Sequence, residues 1–146
     1  MRIVGEWLSG DDGVVRPIIR IHVSGVEGRL LPERFLVDSG ADRTVLSGEL
    51  LRDLRLPSDR PPPMSALMGI GGATAYVVVR TTLGFTRDDG GTVTVRGEFA
   101  AFTDPRAIDI SILGRDVLDN FDLILSRRHD EVLLLAPNHH YRVTRL

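Results

Sequence analysis

The sequence predicts an all-β fold with one or two short helices, on three grounds. Within Val14 to Ser24, Ile19, Ile21 and Val23 alternate with Arg20 and His22, the period of a strand with one buried face. Turn-forming clusters punctuate the chain at Ser9-Gly10-Asp11-Asp12-Gly13, Gly25 to Gly28 and Asp88-Asp89-Gly90-Gly91, as in a run of hairpins. Helical patterning is confined to Gly48 to Leu54 and Arg115 to Asn120.

Composition sets the outer bounds. The 146 residues suit one domain with a substantial core, and 42% hydrophobic with 26% charged residues is ordinary for a soluble globular protein. Neither disorder nor a membrane protein is suggested. The net charge of -2 and the lack of a basic block argue against nucleic acid as a partner. There is no cysteine, which excludes disulfides, thiolate metal sites and a cysteine nucleophile. All 18 basic residues are arginine, so lysine-based catalysis is excluded as well. Met1 to Gly10 carries Glu6 and no long apolar run, so no signal peptide is expected and the default compartment is the cytoplasm.

In chain order, Arg2 to Leu8 reads as a first strand, and Val14 to Ser24 as a second whose polar side includes His22. Leu30 to Val37 follows the Gly25 to Gly28 turn. Ser47 is placed to cap a short helix over Gly48 to Leu54, with Leu50, Leu51 and Leu54 on one face. Arg55 to Met64 contains Pro57, Pro61, Pro62 and Pro63 and reads as an extended loop. Ser65 to Met68 and Ala73 to Phe85 flank Gly69-Ile70-Gly71-Gly72, which lacks the strand-to-helix context of a phosphate loop and fits a hairpin tip. Ala73 to Phe85 pairs with Thr92 to Phe102 across Asp88 to Gly91. Asp104-Pro105-Arg106 ends that strand, Ile108 to Leu113 forms another, and Gly114 breaks it before a helix at Arg115 to Asn120. Phe121 to Leu125 and Glu131 to Leu135 close the chain as a hairpin, ahead of a polar tail with His139 and His140. Two neighbouring histidines without further ligands make no metal site.

One stretch calls for a chemical reason. Phe35, Leu36 and Val37 read as a buried strand, Asp38-Ser39-Gly40-Ala41-Asp42 interrupts it, and Val45 and Leu46 resume it. An acid therefore sits where a core strand ends, which is costly unless the acid is paired or hydrogen-bonded. Taken alone, Asp-Ser-Gly is also the sequence of an Asx turn or a helix N-cap.

Asp38-Ser39-Gly40-Ala41-Asp42, Gly69-Ile70-Gly71-Gly72 and Ile112-Leu113-Gly114-Arg115-Asp116-Val117-Leu118, in this order and at these separations, resemble the retropepsins, the retroviral and retroviral-like aspartic proteases. The similarity runs from about Ile18 to about Leu135. It implies a closed β-barrel with a flap hairpin, one lobe per subunit, that hydrolyses peptide bonds without metal or other cofactor. Only one Asp-Ser-Gly is present and the chain is too short for two lobes, so the second carboxyl has to come from a second copy in a homodimer. The resemblance assigns catalysis to Asp38, Ser39 and Gly40. Substrate binding falls to Ala41, Asp42, Gly69, Ile70, Gly71 and Gly72, and structural support to Gly114 and Arg115, with Arg115 paired to Asp42. Val45, Ile70 and Ile112 are expected to line apolar pockets. The closing hairpin is more similar to that of retroviral-like protease domains in eukaryotic ubiquitin-shuttle proteins than to the shorter tails of viral enzymes. Ala73 follows Gly72 where a bulkier residue is usual in the family.

Two other readings stand beside this one. The chain is compatible with a catalytically silent retropepsin-like module for peptide binding or dimerisation, since fold alone does not specify function. It is also compatible with a structural β-domain in which Asp38 to Gly40 is simply a turn.

Overall fold

A computed structural model describes residues 1–60, 67–69, 72–104, 106 and 110–136. The chain opens with β1 (Arg2–Val4) and β2 (Glu6–Ser9), which the sequence reads as one strand. Gly5 divides them. Its N–H donates to the carbonyl of Val132 at 2.7 Å, and a Cβ there would lie 2.4 Å from the Ile18 carbonyl oxygen and 2.8 Å from side-chain carbons of Ile19 and Val132. Only a residue without a side chain lets the backbone pass this close while it crosses from one sheet to another.

β3 (Val15–Ser24) and β4 (Leu30–Val37) form the hairpin read from the alternation, with a 3-10 turn at Val26–Gly28 between them. β5 (Val45–Leu46) leads to α1 (Gly48–Leu54). The Ser47 hydroxyl accepts the Leu50 N–H at 3.2 Å, which satisfies one orphan donor of the first turn. Leu50 and Leu54 are buried and Leu51 packs against the core from its edge. Within the proline-rich stretch, β6 (Ser58–Asp59) pairs with a later strand, an element the sequence does not announce; residues 61–66 lie outside the described ones.

β7 (Leu67–Gly69) and β8 (Gly72–Thr74) make a separate two-stranded ribbon, followed by β9 (Tyr76–Thr86) and β10 (Thr92–Phe102). Strand therefore breaks at Ala75 within the run read as continuous from Ala73. β9 and β10 pair along their full lengths across the turn at Asp88 to Gly91. β11 (Ser111–Leu113) precedes α2 (Arg115–Leu118), shorter than the Arg115 to Asn120 helix expected from sequence. β12 (Asp122–Ser126) and β13 (Glu131–Leu135) complete the expected closing hairpin, and β1 lies against β13 with Arg2 opposite Leu135.

The main sheet closes on itself. Strands β3, β4, β11, β5, β10 and β9 follow one another, and β9 returns to β3 through His22 opposite Gly84 and Val23 opposite Leu83. This six-stranded barrel is the closed β-barrel expected from the sequence. Its interior holds Ile19, Ile21, Phe35, Leu46, Leu83 and Phe85, all essentially inaccessible to water. Burial of side chains of this size contributes roughly 1.5–3 kcal/mol each. The inward set on β4, Phe35 and Val37, thereby fixes the strand's register, because a one-residue slip would turn them to solvent. A smaller cluster of Val45, Tyr76, Ala100 and Phe102 lies beside it, with Ile112 and Val78 at its margin.

Glu33, half-buried on β4, is the exception to this apolar face. Burial raises its pKa above the ordinary 4.5, and the nearby carboxylates of Glu49 and Asp53 push in the same direction. The folded chain therefore holds this proton more tightly than the unfolded chain, so stability falls as pH rises from about 4.5 through the raised value. Glu33→Gln is expected to raise the urea midpoint at pH 7 and to leave it nearly unchanged below pH ~4, as read by equilibrium unfolding at the two pH values.

Candidate active site

The residues after β4 form a loop gripped by β11 and the start of α2. The Asp38 N–H donates to the Leu113 carbonyl at 3.1 Å, Arg115 N–H to Ala41 at 2.8 Å, and Asp116 N–H to Asp42 at 3.3 Å. The first N–H groups of α2, which have no partner inside a helix, are thus satisfied by carbonyls of this loop. Loop and helix terminus complete one another. β11 runs parallel to β4 and antiparallel to β5, so it sits between the strands that enter and leave the loop.

Gly114 sets how closely the two parts approach. A Cβ there would lie 2.4 Å from both the carbonyl carbon and the oxygen of Arg43, and 2.8 Å from the nitrogen of Thr44. Its φ of -98° is open to any residue, so the requirement is for space. Thr44 is fully buried at this crossing. Its hydroxyl donates to an Asp116 carboxylate oxygen at 2.6 Å and accepts the Gly114 N–H at 3.0 Å, while its own N–H donates to the same Asp116 oxygen at 2.8 Å. Ser111 adds a further tie, its buried hydroxyl accepting the Ser47 N–H at 2.9 Å. Among the described residues no buried side-chain polar atom lacks a hydrogen-bond partner.

Asp38 itself is half-buried. One carboxylate oxygen accepts the Gly40 N–H at 3.0 Å, the Asx turn that the tripeptide permits. Ser39 and Gly40 are exposed, and among the described residues a Cβ on Gly40 would meet only an Asp38 carboxylate oxygen at 3.3 Å. Ala41 is half-buried beside them. Arg115 hydrogen-bonds Asp42 through its guanidinium, the pairing expected from sequence. It is an exposed pair, with side chains 53% and 79% accessible, so it contributes far less than a buried one.

Other assigned residues divide. Gly69 and Gly72 face each other in the β7–β8 ribbon, whereas Ile70 and Gly71 lie outside the described residues. Ile112 is half-exposed next to the loop, and Val45 is buried in the smaller core cluster. Thr44 and Asp116, the centre of the hydrogen-bonding around the loop, received no role from sequence. A polar residue at the foot of a buried strand and an acid in the first turn of a helix were the available signals. Among the described residues no group of three or more His, Asp or Glu is placed to hold a metal ion, and no helix is long and apolar enough to cross a membrane.

Comparison with known proteins places this arrangement. The aspartyl protease family matches residues 21–117, about two thirds of the chain, and the chain belongs to that family. The match spans the Asp38 loop, the β7–β8 ribbon and the Gly114 crossing. Among solved structures, the EIAV protease complexed with the inhibitor HBY-793 is 21% identical with a TM-score of 0.53, covering 71% of this chain and 86% of that one. A retropepsin-like aspartic protease from Rickettsia conorii is 18% identical with a TM-score of 0.52, covering 92% and 90% respectively. At these identities the likeness is one of fold. No curated protein sequence gives a significant match.

If the hydrogen bonds of Thr44 hold the loop to α2, Thr44→Val, which keeps the shape and deletes the hydroxyl, costs about 1–3 kcal/mol of stability. The measurement is urea unfolding, with Thr44→Ser expected to recover most of the loss. Gly114→Ala is expected to be at least as damaging, because the methyl group meets backbone that cannot swing aside.

Proposed function

We propose that this protein is an aspartic endopeptidase that hydrolyses peptide bonds through a water activated by two Asp38 carboxyls, one from each subunit of a homodimer. The observation that carries the reading is the position of Asp38. It sits half-buried on a loop clamped by β11 and α2, in a chain of the aspartyl protease family.

Cleaving an amide with water requires one group to take a proton from water and another to give one to the departing nitrogen. A single carboxyl performs only half of this. Two carboxyls a few ångströms apart cannot both ionise, so one is kept protonated and the other charged, and the couple supplies acid and base together. Its ionisation belongs to the pair rather than to either residue. In this reading Ser39 hydrogen-bonds across the twofold axis and stiffens the couple, which agrees with its exposure in the single chain. Gly40 offers its carbonyl to the substrate backbone, and the open space where its Cβ would stand agrees with a surface that another chain approaches.

The substrate would lie extended between this floor and the ribbon Gly69 to Gly72, acting as a flap, with Ala41 and Asp42 at the cleft edge. Backbone hydrogen bonds of the strand-addition kind supply affinity, and side-chain pockets such as that bordered by Ile112 supply selectivity. Gly114 and Arg115 act through the loop rather than on the substrate.

Asp38→Asn is expected to lower cleavage of a hydrophobic peptide library by roughly a thousandfold or more while leaving subunit association unchanged in analytical ultracentrifugation. Retained cleavage would defeat the peptidase reading, and a binding module would lose little peptide affinity on the same change. Specific activity should also fall on dilution through the dimer dissociation constant, and Arg115→Ala should shift that fall to higher protein concentration because the Asp42 loop loses a brace. A specific activity independent of concentration would contradict the shared site.

A further inference from the structure

A cavity of about 850 Å³ adjoins the candidate site and extends well beyond it. Its near end is formed by Leu36, two residues before Asp38 on β4, and by Ile112, opposite Leu36 on β11. Ile18, opposite Leu36 on β3, continues this apolar floor. Farther along the same strands the floor becomes charged, where Arg20 and Arg34 stand directly opposite each other. The turn after β2 forms the outer wall, from Ser9 to Asp12.

Two like charges facing across a strand pair are unfavourable unless each has a counter-ion. Arg20 has one, with its Nε 2.8 Å from a Glu6 carboxylate oxygen. Arg34, exposed, has no carboxylate partner among the described residues. The acids at the cavity margin do not serve it. Asp12 is held by Arg16 at 2.6 Å, Glu33 accepts only the backbone N–H of Arg34, and Asp11 lies on the far turn. The groove thus runs from an apolar end beside Asp38 to a guanidinium with no counter-ion among the described residues. Arg34 lies four residues before Asp38, a distance of about 13 Å along a strand, and an extended peptide covers it with about four residues of its own.

We infer that this groove extends the substrate cleft, taking an apolar side chain against Ile18, Leu36 and Ile112 and an acidic side chain against Arg34. Preferred substrates are then peptides with a hydrophobic residue near the scissile bond and a Glu or Asp three to five positions away. The inference rests on the peptidase reading for its geometry but is tested separately from it.

The experiment uses peptides with a fixed hydrophobic centre and one Glu, Gln or Lys placed three, four or five positions to either side of the cleaved bond. At one of these positions Glu should exceed Gln by about tenfold in kcat/KM, as a charge-assisted contact supplies. In Arg34→Gln that ratio should fall to within about twofold, and in Arg34→Glu the preference should pass to Lys. Because each ratio is taken on one enzyme, partial loss of folded protein does not affect it. Equal cleavage of Glu and Gln peptides at every position, or a Glu preference that survives Arg34→Gln, overturns the inference and leaves the peptidase reading intact. If no peptide is cleaved, the peptidase reading fails and the same labelled peptides are compared by fluorescence anisotropy. Tighter binding of a Glu peptide that Arg34→Gln abolishes sustains the groove assignment, and equal binding of Glu and Gln peptides ends it.

Discussion

The crossing of two backbones at Gly114 is the constraint on which the rest of this structure depends. Where β11 ends and α2 begins, the chain passes so close to Arg43 and Thr44 that no side chain fits between. Contact at this range would strand several polar groups, and Thr44 and Asp116 resolve that by hydrogen-bonding across it. The loop bearing Asp38 is thereby fixed by residues more than seventy positions away in sequence. Precise placement of a functional carboxyl comes from such supporting contacts, since a loop held only at its ends would let the side chain drift.

The charges that hold this site are few, although the surface carries many. Nine ion pairs occur among the described residues, and in every one both side chains are at least 30% exposed. Pairs of that kind are screened by solvent and add little to stability. Arg115 with Asp42 belongs to this group, despite being the pair that the family pattern brings forward. Asp116 differs because its acceptor oxygen meets donors on a residue with no solvent access. Cohesion of the loop thus rests on one carboxylate and one hydroxyl together with its backbone hydrogen bonds to β11 and α2, with the apolar barrel behind them.

Much of this arrangement was legible in the sequence wherever one local rule governed. Alternation located β3, paired turn residues located the β9–β10 hairpin, and a serine three residues before Leu50 located the start of α1. Motif order, rather than any single motif, pointed to the barrel and to the loop at Asp38. What escaped notice depended on distant partners. Nothing near Gly5 in sequence reveals that Ile18 and Val132 will crowd it, so one expected strand became two in different sheets. Ser58 and Asp59 became strand because β9 offers them an edge, despite a proline on their N-terminal side and a proline tract after them. Val45 is as apolar as a pocket residue, and only the fold shows that it packs with Tyr76 and Phe102. Thr44 and Asp116 carry ordinary side chains whose importance arises only once the two backbones meet.

The pairing of β1 with β13 has a consequence for how the chain reaches this state. Arg2 finds its partner in Leu135, so the first strand made is among the last to be seated. Closing so long a loop costs entropy before any contact repays it, and folds dominated by distant pairings assemble slowly. During synthesis β1 has no strand to pair with until the closing hairpin has emerged, whereas β2 pairs with β3 much earlier and only its Trp7 indole N–H, which reaches the Glu131 carbonyl at 3.1 Å, waits for that hairpin. The fluorescence of this sole tryptophan therefore responds in two stages, when β2 pairs with β3 and when the closing hairpin meets the indole.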